Sequence, residues 1–172
     1  NLCTYYYSVN LSDSGNPALK DVRVRQALAY ALDRDVIGNS VLKGGQYPAY
    51  NLTLQYTNGF EMPAIEYAGL TQADRDAKAV ELMTEAGFGP DSPLELTLIS
   101  NTSDAHKALA TVVAQMMKQK LGVNITLANY EWAGRSRGSG SASRRAGRDG
   151  SRRWTAGRWI RLGRVRRLRR SC

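Results

Sequence analysis

Two segments of the chain alternate apolar and polar residues with the period of a β-strand. A helical pattern over residues 104–120 separates them, and Gly122 stands just past its end. Strand, helix and strand in this order predict a βαβ unit with parallel strands and a right-handed crossover. The apolar positions are Leu94, Leu96 and Leu98 in the first strand, and Val123, Ile125 and Leu127 in the second.

Two further segments, residues 21–33 and 72–86, have the periodicity of amphipathic helices. Thr71 with Asp74 forms a capping-box pattern at the start of the second segment. Asp35 is predicted to cap another short helix that ends at residue 41. Residues 4–9 are predicted to form a strand, and residues 44–70, rich in Gly, Pro and Asn, an ordered surface loop. The fold class is therefore α/β.

The βαβ unit predicts where a ligand would bind. In open α/β sheets, ligands gather at the carboxyl ends of parallel strands. The first strand leads into His106 in the first turn of the helix, and the second leads into Trp132. A helix start suits an anion, so His106 could bind a carboxylate while Trp132 supplies an apolar wall. On the residues alone, a solvated surface His and a packing Trp are the alternative interpretations.

The charge divides the chain into two parts. Its net charge of +9 is the sum of −4 over residues 1–133 and +13 over residues 134–172. The second part, an Arg/Gly/Ser tail, is expected to be disordered, because a charge-dense segment of this kind has no core. One interpretation is a genuine arm that binds nucleic acid, with Trp154 and Trp159 stacking on bases. The other is a frameshifted end, since the tail has 14 Arg and no Lys.

The composition excludes several kinds of chemistry. One His and two Cys, Cys3 and Cys172, are too few for a zinc cluster, and we expect no metal, cofactor or disulfide. Residues 134–138 match the G-x-S-x-G pattern around Ser136, but no His follows to complete a serine hydrolase triad. The residues therefore predict no enzymatic activity.

Several runs of residues between positions 4 and 132 are distinctive in combination. They are Thr-Tyr-Tyr-Tyr at 4–7, Asp-Val-Arg-Val-Arg-Gln-Ala-Leu-Ala-Tyr-Ala-Leu-Asp-Arg-Asp at 21–35, Pro-Ala-Tyr at 48–50, Glu-Ala-Gly at 85–87, Asn-Thr-Ser-Asp-Ala-His-Lys at 101–107, and Leu-Gly-Val-Asn at 121–124 leading to Glu-Trp at 131–132. In these runs, residues 4–132 resemble the periplasmic oligopeptide-binding proteins, the extracytoplasmic receptors of ABC peptide importers.

This resemblance implies part of one lobe of a two-lobed, type II periplasmic-binding-protein fold that closes on its ligand. It also implies a monomer in the cell envelope, outside the cytoplasm. Its partners would be short peptides and the membrane permease of an importer, and nucleic acid only if the tail is genuine. The chain begins at Asn1 without a signal-like start. We therefore expect a piece of a longer protein, taken from its second half, whose anchoring the sequence does not decide.

The resemblance also assigns roles to three residues. His106 would meet the terminal carboxylate of a peptide, Trp132 would line a side-chain pocket, and Tyr6 would line the cleft. Two departures weaken the match, because Ser8 replaces a Glu of the family and the resemblance ends at Trp132. The Asp that pairs with the peptide ammonium group is not recognisable beyond that point. By itself the chain is therefore not expected to bind peptide as the family does.

Overall fold

A computed structural model describes residues 3–130 and the backbone of residues 159–164. Four strands, β1 to β4, and four helices, α1 to α4, make up the described part. The strands are Tyr5–Val9, Glu95–Ser100, Asn124–Asn129 and Trp159–Arg164, and the helices are Val22–Ala31, Arg34–Val36, Gln72–Glu85 and Asp104–Leu121. Short 3-10 helices at Pro17–Lys20 and Glu66–Ala68 and a π-helical turn at Ile37–Leu42 complete the described elements.

The strands form one mixed sheet in the order β1-β4-β2-β3. β2 pairs in parallel with β3, in a register that sets Leu96 opposite Ile125 and Leu98 opposite Leu127. The 18-residue helix α4 connects these two strands, so the predicted βαβ unit with parallel strands is confirmed, and the right-handed crossover stays a prediction. β1 is also a strand, as predicted, and it pairs antiparallel with β4.

Capping residues stand at the starts of α1 and α3 and at the end of α4. Asp21 caps α1 by accepting from the Arg23 N–H at 2.8 Å, and Thr71 caps α3 by accepting from the Asp74 N–H at 3.2 Å. Gly122 ends α4 in the left-handed region at φ 69°, where glycine meets no Cβ clash.

One capping prediction is wrong. Asp33, and not Asp35, caps the short helix α2, because its carboxylate accepts from the Val36 N–H at 3.0 Å. Asp35 lies inside the helix instead. The π-helical turn then extends the helical segment to Leu42, close to the predicted end.

The core lies between the sheet and the layer of helices. Leu96 and Leu98 of β2 are 3% and 2% exposed and belong to the same apolar cluster as Leu109 and Val113 of α4. The apolar faces of α1 and α3, which pack on each other, complete this cluster. Burial of each large aliphatic side chain contributes about 1.5–3 kcal/mol. The apolar stripe predicted for the second strand of the βαβ unit is only partly buried, because Ile125 is half-buried and Leu127 is 45% exposed. Within residues 3–130, no helix is both long and apolar enough to cross a membrane.

One segment of the Arg-rich tail belongs to the sheet. Trp159–Arg164 forms β4, which lies between β1 and β2. Although a charge-dense segment lacks a core of its own, this one finds backbone partners on two neighbouring strands. Five positions pair with β1 and two with β2. The rest of the tail, including Trp154 and Ser136, lies outside the described residues.

Two arginines fasten the surface loop of residues 44–70 to the helices. Arg75 of α3 is 4% exposed and donates to the Tyr50 hydroxyl at 2.8 Å and to the Tyr67 carbonyl at 3.2 Å. Arg34 of α2 donates to the Ala49 carbonyl at 3.0 Å. Both guanidinium groups also lie over the Tyr50 ring, at 5.4 Å and 4.8 Å from its centroid.

These two cations are held by neutral groups. Among the described residues, neither Arg34 nor Arg75 forms a salt bridge with a carboxylate. Burial lowers the pKa of the Arg34 guanidinium, whereas the facing Tyr67 and Tyr50 rings act in the opposite direction. We call Arg34, Arg75, Tyr50 and Tyr67 the arginine clasp, because their contacts join the loop to α2 and α3.

Candidate functional site

The carboxyl ends of β2 and β3 lie side by side at one edge of the sheet. The Tyr130 N–H, just past β3, donates to the Ser100 carbonyl at the end of β2 at 3.0 Å. The start of α4 follows β2 directly, so its first turn lies at the same edge. This placement agrees with the predicted position of a ligand site in a parallel sheet.

His106 lies in the first turn of α4 and is half-buried. Its imidazole ring has Asn101 and Tyr5 as neighbours. Its Nδ1 lies 2.5 Å from the side-chain oxygen of Asn101, in the loop that joins β2 to α4. The same oxygen accepts from the Ser103 backbone N–H at 3.2 Å. The Tyr5 ring lies 4.8 Å from the imidazole, centroid to centroid, with the two planes tilted by 33°.

The tyrosine beside His106 is therefore Tyr5 and not Tyr6. Side chains alternate along a strand, so Tyr5 and Tyr7 share one face of β1 while Tyr6 occupies the other. Tyr6 is half-buried there, and its role as a cleft-lining residue stays a prediction. The sequence analysis missed Tyr5, although the alternation already placed Tyr5 and Tyr7 together. The missing information was which face of β1 meets α4.

The other predicted site residue cannot be placed at this edge. Trp132 lies outside the described residues, which end on this side at Tyr130. Its predicted role as an apolar wall therefore stays a prediction. His106 is thus the predicted site residue that the structure places at the carboxyl edge, and Asn101 and Tyr5 join it there.

The arrangement suits a small anionic group at the edge of the sheet. The first turn of α4 offers backbone N–H groups and the positive end of the helix dipole, and the imidazole adds a donor when protonated. Asp104, in the same turn, is fully exposed, and its carboxylate lies 3.7 Å from the Lys107 ammonium group. Within residues 3–130, no three His, Cys, Asp or Glu side chains are grouped to hold a metal ion.

A shallow depression lies beside this edge and is lined in part by Ser100, Lys107 and Asn129. Its volume of about 110 Å³ is below the 300 Å³ or more that an enclosed ligand site usually has. This depression is therefore too small to enclose a ligand by itself.

The tyrosine behind Tyr5 carries a buried hydroxyl without a hydrogen-bond partner among the described residues, that of Tyr7. Burial raises the pKa of this hydroxyl above its ordinary value of 10.0, and the nearby Tyr5 hydroxyl adds to the rise. The ring of Tyr7 packs on the core and meets the Tyr5 ring edge-on at 5.8 Å. Tyr7 thus supports the Tyr5 ring from the side of the core.

We expect Tyr7→Phe to raise the free energy of unfolding by about 1 kcal/mol at neutral pH, because the unpaired buried hydroxyl is removed. A folded pKa above the unfolded value means that stability is lost as the pH rises above about 10. Tyr7→Phe should reduce this alkaline loss, as measured by urea unfolding at pH 7 and pH 10.5. Tyr6→Phe is the matched control on the opposite face. Equal alkaline losses in the two variants would contradict this expectation.

Comparison with known proteins identifies the family. Residues 1–159 match the family model described as bacterial extracellular solute-binding proteins, family 5 Middle. The chain is 44% identical over 131 residues to the periplasmic oligopeptide-binding protein OppA of Escherichia coli K12, and 47% identical over the same length to OppA of Salmonella typhimurium. Each alignment covers 76% of this chain and 24% of the relative.

Solved structures agree with these relatives. The murein tripeptide-binding protein MppA of Escherichia coli superposes with a TM-score of 0.75 at 38% identity, over 80% of this chain and 26% of that protein. OppA of Burkholderia pseudomallei superposes with a TM-score of 0.72 at 39% identity, over 79% of this chain and 26% of that protein. The fold thus matches part of the structures of larger binding proteins, as the resemblance implies.

The chain spans about a quarter of the length of the curated relatives that it matches. The expectation that the resemblance ends at Trp132 is wrong, because the family match extends to residue 159 and includes the first part of the Arg-rich tail. The family consists of solute-binding components of transport systems, not of enzymes, and the OppA and MppA relatives are periplasmic proteins. On this evidence, the chain belongs to family 5 of the bacterial extracellular solute-binding proteins.

Proposed function

We propose that this chain is a segment of the substrate-binding component of an ABC importer for oligopeptides, and that it forms part of the peptide-binding wall. The observation that carries the proposal is His106, held between Asn101 and Tyr5 at the carboxyl edge of the sheet. Several relatives are named for oligopeptide binding, and OppA of Haemophilus influenzae has been solved in complex with the peptide RPPGFSPFR.

In this proposal, His106 meets the terminal carboxylate of a peptide. The start of α4 and a protonated imidazole provide donors of the correct sign, and the carboxylate supplies the acceptor. Trp132 lines a side-chain pocket, and Tyr6 lines the cleft on its own face of β1. The intact protein acts as a monomer in the periplasm and delivers its peptide to a membrane permease.

The segment alone is expected not to bind peptide tightly. Three quarters of the length of a relative is not represented in it, and the described residues form only one wall. An extended peptide would leave most of its backbone and its ammonium group in solvent, so the contacts would not offset the cost of association. Calorimetry of the chain with mixed tripeptides should give no measurable heat, and sub-micromolar binding would contradict the expectation.

A chimera tests the function itself. The matching 131 residues of Escherichia coli OppA would be replaced by those of this chain, and the folded product is expected to bind tripeptides. His106→Ala in the chimera should weaken binding about 10- to 100-fold, which is the loss of a charge-assisted hydrogen bond. The same substitution should matter far less for a tripeptide whose carboxyl end is amidated.

The control is Lys118→Ala, at the exposed end of the same helix, which should leave the affinity unchanged. A folded chimera that binds no peptide would contradict the proposed function. Equal losses for free and amidated peptides would remove the carboxylate role of His106 while leaving the peptide-binding role in place.

A further inference from the structure

We infer that Asn101 is a positioning residue, which fixes the tautomer and the ring orientation of His106. The inference rests on the proposed function, in which His106 meets the peptide carboxylate. It begins from a shared acceptor, because one side-chain oxygen of Asn101 faces both the imidazole Nδ1 at 2.5 Å and the Ser103 backbone N–H at 3.2 Å.

The Ser103 N–H decides which end of the Asn101 amide points inward. A backbone N–H can only donate, so the atom that it faces must be the amide oxygen and not the amide nitrogen. An amide oxygen can only accept, so the imidazole Nδ1 that it also faces must carry a proton. Neutral His106 is therefore held as the Nδ1–H tautomer.

This tautomer assigns separate tasks to the two ring nitrogens. Nδ1 stays bonded to Asn101 in both the neutral and the protonated imidazole. Nε2 is then the nitrogen that can exchange its partner for a ligand carboxylate, and it becomes a donor when the ring gains a proton. Without the Asn101 oxygen, no hydrogen bond would determine which ring nitrogen carries the proton of the neutral imidazole.

Packing fixes the ring on its other side. Tyr5 lies against the imidazole at 4.8 Å, Tyr7 meets Tyr5 edge-on, and Tyr7 packs on the core. The imidazole is thus held between an amide anchored by the backbone and a phenol supported by the core. Preorganisation of this kind reduces the loss of side-chain conformational entropy that accompanies ligand binding.

The chain has a single His, so the tautomer can be read without assignment ambiguity. Long-range ¹H–¹⁵N spectra of the full chain, recorded at a pH above the imidazole titration, should show Nδ1 protonated and Nε2 unprotonated. Asn101→Ala should shift the ring towards a mixture of tautomers or to the Nε2–H form. Thr102→Ala, an exposed neighbour, is the control and should change neither nitrogen.

Asn101→Asp is the conservative variant that should rescue the wild-type pattern. Its carboxylate keeps the acceptor for both Nδ1 and the Ser103 N–H, so the Nδ1–H tautomer should return. The added negative charge should also raise the pKa of the imidazole. A role limited to folding would not predict this combination of a restored tautomer and an upward titration midpoint.

The outcomes separate the inference from the proposed function. A wild-type chain with Nε2 protonated, or an Asn101→Ala chain with an unchanged tautomer, would overturn the role of Asn101. The wild-type spectrum decides the matter even if Asn101→Ala fails to fold. Since no peptide is present, a chimera that binds no peptide would contradict the function without affecting this result.

Discussion

Arg75→Ala is expected to lower the free energy of unfolding by about 3 kcal/mol, because two partly buried acceptors lose their donor and the buried arginine side chain leaves a cavity. The guanidinium is 4% exposed and donates to the Tyr50 hydroxyl and the Tyr67 carbonyl. Its loss should also release the surface loop of residues 44–70, which hydrogen exchange followed by mass spectrometry would detect as faster exchange in that loop.

Two companion variants sharpen this test. Arg23→Ala makes the same chemical change at an exposed arginine, which pairs with Asp21, and should cost much less. Tyr50→Phe keeps the ring between the two cations and removes only the hydroxyl, so it should cost about 1 kcal/mol. If Arg75→Ala cost no more than Arg23→Ala, the arginine clasp would not hold the loop.

Truncation of the chain after Arg158, which removes β4, is expected to lower the free energy of unfolding by at least about 3 kcal/mol. Among the described strands, β1 pairs only with β4, so its five paired positions would lose their partners. The core contacts of Tyr7 and Val9 depend on the position of β1 and would weaken with it. Urea unfolding followed by circular dichroism measures the change.

Truncation after Arg164 is the matched control. It removes only residues 165–172, which include the last four arginines of the tail, and keeps β4, so stability should change little. Equal stability of the two truncated chains would show that β4 contributes nothing. The nucleic-acid interpretation predicts a different pattern, in which both truncations weaken salt-dependent binding of an oligonucleotide and neither affects stability.

Local patterns were sufficient to predict the elements from α3 to β3. Leu94, Leu96 and Leu98 alternate without interruption, and Thr71 and Gly122 stand at helix ends that require their particular chemistry. These signals involve residues that are close in sequence, so they do not depend on contacts with distant parts of the chain. The same reasoning placed His106 at the carboxyl edge before any contact was known.

The missed features depend on contacts between distant residues. β4 was not predicted because a segment rich in Arg gives no apolar pattern, and its partners lie far away in the sequence. Tyr5 was missed because nothing local says which face of β1 meets α4. The arginine clasp joins Arg34 and Arg75 to loop residues through carbonyl and ring contacts, which have no sequence signature.

The place of β4 in the sheet has a consequence for the order in which the described strands assemble. Tyr5 pairs with Arg164, so β1 depends on a strand that lies far along the chain. α3, β2, α4 and β3 can assemble from nearby residues, whereas among the described strands β1 has no neighbour until β4 is in place. Contacts of such wide separation slow folding, and an unpaired strand is open to pairing with other chains. We therefore expect β1 to join the sheet after the βαβ unit has formed.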